Sequence, residues 1–133
     1  MQTSKIIYKG HLRTEATHLK SQQIIVTDAP VDNEGKGEAF SPTDLLATSL
    51  ASCMITVMGI HARKSNFDLS VSANMLKHMG SNPRRISAID IELTFTGLLD
   101  ETQKKVLEQL ALNCPVAKSL HPSIEQRIRF IYK

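Results

Sequence analysis

Residues 41–64 read SPTDLLATSLASCMITVMGIHARK, and the fold turns on this stretch. Ser41 suits a helix N-cap, Pro42 suits the first helical position, and Asp44 can complete the cap from three residues on. From Leu45 to Ile60 there is no charged residue, and apolar residues fall on every helical face. A surface helix keeps a polar stripe, so the pattern predicts a helix buried all round. These sixteen residues, at about 1.5 Å each, span roughly 24 Å, short of the ~30 Å of a membrane core. The expected place is therefore a protein interior. Near the middle of the run sits Cys53, one of two cysteines in the chain.

Working outward, residues 28–40 (DAPVDNEGKGEAF) combine Pro, Gly and charge, which marks a long loop feeding the capped helix start. Before it, the β-branched runs at Ile6, Ile7 and at Ile24, Ile25, Val26 predict two or three antiparallel strands over residues 4–27. Beyond Lys64 the period changes to two. Leu69, Val71, Ala73 and Met75 alternate with polar residues, GSNPRR at 80–85 reads as a turn, and Ile89, Ile91, Leu93 and Phe95 alternate with Asp90, Glu92, Thr94 and Thr96. The polar alternate face predicts an antiparallel sheet covered on one side. Asp100 and Gln103 form a capping pair for a second helix with Val106, Leu107, Leu110 and Ala111 as its apolar stripe. Asn113-Cys114-Pro115 ends that helix. Pro115 opens a short further helix, and Ile124, Ile128, Phe130 and Tyr132 trace a last strand. The fold class is α+β, with antiparallel sheets around a long buried central helix, in a single domain over residues 1–133.

A chain of 133 residues has little interior in which to hide a fully apolar helix, so a homodimer is expected to supply the missing cover. A net charge of +3 with scattered Lys and Arg, and no Trp, provides neither a phosphate-tracking patch nor a stacking platform; nucleic acid is not an expected partner. The N-terminal MQTSKIIYKG has no long apolar core, so a cytoplasmic location is the default expectation. The five histidines show no pair at metal-ligand spacing, and no cofactor motif is present.

The two thiols differ in local setting. Cys114 falls at the cap of the Pro115 helix, near unpaired N–H groups and Lys118, a setting that favours the thiolate. Cys53, mid-helix among Leu50, Met54 and Val57, should be unreactive unless a cation from elsewhere approaches it. The plain alternative for both is inert packing, since free Cys is among the most buried residue types. Cys114 and His121 as nucleophile and base of a hydrolase is a further possibility.

Two segments together resemble a known family. FSPTDLLATSLASCMITVMG (40–59) resembles the central-helix signature of the OsmC/Ohr proteins (osmotically induced protein C and organic hydroperoxide resistance), and NCPVAKSLHP (113–122) resembles the segment carrying that family's second cysteine. The resemblance implies an intertwined dimer and a cysteine-based peroxidase acting on organic hydroperoxides. By position Cys53 is then the attacking thiol and Cys114 the resolving one, with a dithiol reductant, often a lipoyl group, restoring the pair. It also implies an Arg and a carboxylate near the attacking thiol. The family's Glu after the helix-start proline is not matched, since Thr43 and Asp44 follow Pro42. Arg13, Glu38 and Asp44 are the candidates for the supporting roles. The rival expectation from another class is a small-molecule-binding protein on the same dimeric scaffold, with packed cysteines.

Overall fold

The computed structural model describes residues 1–133, in two compact units, Met1–Leu46 and Ala47–Lys133. In the first, β1 (Ser4–Gly10), β2 (Arg13–His18) and β3 (Ile24–Asp28) form an antiparallel sheet in that order. The β1–β2 turn places His11 and Leu12 both at positive φ, the backbone of a tight hairpin turn whose twist matches the strands it joins. Ile6, Ile7, Tyr8, Ile24 and Ile25 on this sheet are exposed in the single chain. The loop that follows contains one 3-10 turn, Val31–Asn33, and ends at Ser41.

Helix α1 runs Pro42–Lys64 and straddles the two units. Its start is the expected capping box: Ser41 Oγ accepts from the Asp44 N–H at 3.0 Å, and the Asp44 carboxylate accepts from the Ser41 N–H at 3.0 Å. The helix is not buried all round, however. Ala47, Leu50, Ala51, Met54, Met58 and Ala62 make one buried stripe, whereas Ser52, Thr56, Ile60 and Arg63 form an exposed one. Small and weakly polar residues lie along that outer stripe, so hydropathy alone marks no exposed face there. At 23 residues the helix is also long and apolar enough to cross a membrane, so length does not exclude that role. Its place in the interior rests instead on Leu50, Met54 and Met58, which are fully buried.

In the second unit these residues share one core with Ile89, Ile91, Leu93, Phe95 and Leu107. Strands β4 (Ser70–Gly80) and β5 (Arg85–Thr96) form the hairpin that the alternation predicts, with Met75 opposite Ile91 and Val71 opposite Phe95. Asp90, Glu92 and Thr94 stay only partly buried on the other face. Helix α2 (Glu101–Leu112) begins with the full Asp100–Gln103 capping box, and α3 (Pro115–Ser119) follows at once. The last strand, β6 (Glu125–Tyr132), pairs with β5 in parallel, not antiparallel as expected. The chain between β5 and β6 crosses over through two helices, which is the connection that parallel pairing requires. Phe95 stacks on Tyr132 across that pairing at 4.8 Å between ring centroids.

Candidate active site

About three turns of helix carry the chain from Pro42 to Cys53, in the middle of α1 between the buried Leu50 and Met54. Its own side chain is half-buried and free, so the expectation of a thiol sealed in the helix core does not hold. Cys114 reaches the same place from the other direction. Asn113 ends α2 by donating its N–H to the Gln109 carbonyl, and Cys114 donates to the Ala111 carbonyl at 3.3 Å. Pro115 then locks the first position of α3, leaving Cys114 as its cap.

The cap is real: Cys114 Sγ accepts from the Ala117 N–H at 3.4 Å. The expected electrostatic outcome is nevertheless reversed. Cys114 is only 1% exposed. Burial pushes its pKa above the ordinary thiol value, and hydrogen bonding to Cys53 and the charge on Cys53 push it the same way. The Ala117 and Val116 N–H groups pull down but do not win. Cys114 is thus held as the neutral thiol. The two free thiols are therefore near enough to perturb one another's ionisation.

The candidate supporting residues Arg13, Glu38 and Asp44 all belong to the first unit. Arg13 and Asp28 are directly opposite in the β2–β3 ladder. The Arg13 guanidinium donates to both Asp28 oxygens, at 2.7 and 2.8 Å, in the planar forked geometry that favours arginine over lysine. Glu38 accepts only a longer 3.5 Å contact from Arg13, while its N–H donates to Asp28 at 3.1 Å. The carboxylate that holds Arg13 is therefore Asp28, which sequence reading missed; Glu38 is secondary. Asp44 is engaged in the cap of α1. His121 is bonded to Ser123 in its own turn, its Nδ1 being 2.7 Å from the Ser123 hydroxyl. No group of three or more His, Cys, Asp or Glu side chains has the arrangement of a metal site.

Asp28 titrates below the usual carboxylate range, first because of its hydrogen bonds from Arg13. A carboxyl whose pKa is lowered on folding contributes stability that is complete above its unfolded value of about 3.9 and lost as pH falls through the folded value. Urea titrations of the wild type and Asp28→Asn should therefore differ at neutral pH and draw together as pH falls below about 3.9 and on through the folded value. A difference that stays constant down to acid pH would show that the pair's titration is not linked to folding.

The family model for OsmC-like protein matches residues 35–129. A protein of known structure from Psychrobacter arcticus 273-4, provisionally named for osmotic stress induction and detoxification response, is 55% identical, with a TM-score of 0.94 over 98% of this chain and 96% of that one. An organic hydroperoxide resistance protein OsmC from Legionella pneumophila superposes with a TM-score of 0.76 at 17% identity, covering 98% of each chain. One from Elizabethkingia anophelis does so at 0.72 and 13% identity, covering 100% of this chain and 98% of that one. At such identities the last two likenesses concern the fold. No curated protein matches the chain.

Proposed function

Because the chain belongs to the OsmC-like protein family, we propose that it is a thiol-dependent hydroperoxide reductase in which Cys53 attacks and Cys114 resolves. The observation that carries this reading is the adjacency of two free thiols of unequal character. The half-buried one can be reached by a peroxide. The buried one keeps its proton and so does not compete for the first step.

In the first step the Cys53 thiolate attacks one oxygen of the O–O bond, leaving a Cys53 sulfenic acid and an alkoxide that is protonated to the alcohol. The Cys114 sulfur then attacks the sulfenic sulfur, forming the Cys53–Cys114 disulfide and releasing water. An external dithiol returns both sulfurs to thiols and is itself oxidised to a disulfide. Leu50, Met54 and Val57 around Cys53 favour organic over small polar peroxides. The exposed stripe of α1 and the uncovered apolar residues of the first sheet support a homodimer as the working form.

One equivalent of an organic hydroperoxide should convert both thiols to an intramolecular disulfide, read as loss of two hydrogens by intact-mass measurement and as a Cys53–Cys114 cross-linked peptide. Two unmodified thiols after that treatment would remove the proposal. The binding-protein alternative predicts just that result.

A further inference from the structure

The inward positions of β6 are Gln126, Ile128, Phe130 and Tyr132, and the last three pack against the core. Gln126 stands opposite the fully buried Ile89 of β5, an amide where the rest of the face is aliphatic or aromatic. A half-buried amide there costs stability unless its polar atoms are paired. Its Nε2 donates to the Ala117 carbonyl at 3.1 Å. That carbonyl needs a donor from outside α3. The ladder of this five-residue helix ends where the Leu120 N–H donates to the Val116 carbonyl, and Leu120 itself has extended backbone. A helix leaves its last carbonyls without partners of its own. Ala117 is 9% exposed, so bulk water is a poor substitute. The other end of the same residue holds the thiol. The Ala117 N–H donates to Cys114 Sγ at 3.4 Å, and the Lys118 N–H donates to the Cys114 carbonyl at 3.1 Å. Contacts thus run unbroken from the sulfur through Ala117 to the sheet.

We propose that Gln126 is a positioning residue for Cys114: through Ala117 it ties α3 to β6, keeping the Cys114 sulfur docked and reserved for Cys53. This rests on the preceding reading only in taking Cys53 as the thiol that Cys114 serves. A sulfur that is 1% exposed meets a dissolved reagent only when α3 opens. Opening α3 breaks the Gln126 bond, so that bond sets how often Cys114 is open to other thiols and electrophiles.

The test is alkylation of the reduced whole protein by iodoacetamide, with each cysteine followed by peptide mass mapping. In the wild type Cys114 should react more slowly than Cys53. Gln126→Met keeps the length of the side chain and removes the donor. Cys114 should then react roughly five- to 150-fold faster, the range for one buried acceptor left unpaired, while the Cys53 rate stays the same. Gln126→Lys, which restores a donor, should recover most of the protection. The Cys114 rate in Gln126→Met should depend little on low urea concentrations, as for an opening that exposes little surface. An unchanged Cys114 rate in Gln126→Met would overturn the proposal. So would both cysteines accelerating together with the urea dependence of global unfolding, because Gln126 would then only stabilise the fold. Thiols that ignore organic hydroperoxide, in a protein where Gln126→Met still exposes Cys114, would remove the peroxidase reading alone.

Discussion

Cys53→Ser is expected to abolish organic-hydroperoxide turnover, lowering it by ~10³-fold or more as loss of a covalent nucleophile does. Serine keeps the size and the helix but not the nucleophilic sulfur, so the fold should be unchanged. Cys114→Ser should behave differently. Cys53 still reacts once and then has no neighbouring thiol to condense with, so the sulfenic acid persists and excess peroxide carries it on to sulfinic acid. A peroxide-consumption assay should therefore show no consumption in Cys53→Ser and, in Cys114→Ser, one equivalent for the sulfenic acid and a slower second one for the sulfinic acid, without turnover. Dimedone should label Cys53 in the second variant. Turnover surviving in Cys53→Ser, or dimedone labelling of Cys114 in the wild type, would reverse the assignment of the two thiols. The reversed assignment is the one that the helix-cap position of Cys114 first favours, so the comparison decides between two physical effects. One is the pull of the Ala117 and Val116 N–H groups; the other is desolvation.

The second large effect is on stability. Phe95→Ala should cost about 3–5 kcal/mol, the range for deleting a large aromatic side chain from a packed core. Phe95 is 1% exposed and packs against two rings of β6, 4.8 Å from Tyr132 and 6.4 Å from Phe130. Its loss removes transfer free energy, leaves a cavity, and also forfeits ring–ring contacts. Tyr132 is at the same time hydrogen-bonded to Glu108 on α2 at 2.5 Å, with Lys104 over its ring at 4.7 Å. The cavity thus opens where β5, β6 and α2 meet. Denaturant titrations should show a lower midpoint with an unchanged slope. A change below about 1 kcal/mol would mean that the site collapses and refills, contrary to the packing described.

How much of this was legible in the sequence depends on the range of the interaction concerned. Both capping boxes, Ser41 with Asp44 and Asp100 with Gln103, were readable because partner and cap lie three residues apart. The inward face of β5 was readable because its alternation is strict. The direction of β6 was not: alternation says which residues face the core but is the same for a strand run either way. Asp28 escaped notice because it finds Arg13 through strand register, fifteen residues away in the chain. The exposed stripe of α1 escaped for a different reason. Ser52, Thr56 and Ile60 carry no charge, and uncharged residues give the same signal on a core face as on a face awaiting a partner. For the thiols, local electrostatics pointed one way at Cys114, and burial, which depends on the whole fold, decided the other.

The parallel pairing of β6 with β5 has a consequence for how the two thiols come to meet. The β4–β5 hairpin closes over a four-residue turn, whereas Asp90 and its β6 partner Arg127 are separated by thirty-seven residues. Closing the longer loop costs more chain entropy and belongs late in folding. Cys114 lies inside that loop. An unfolded or half-folded chain, with the crossover still open, therefore keeps Cys114 at low effective concentration around Cys53. Strand β6 is thus the element that closes the loop carrying Cys114.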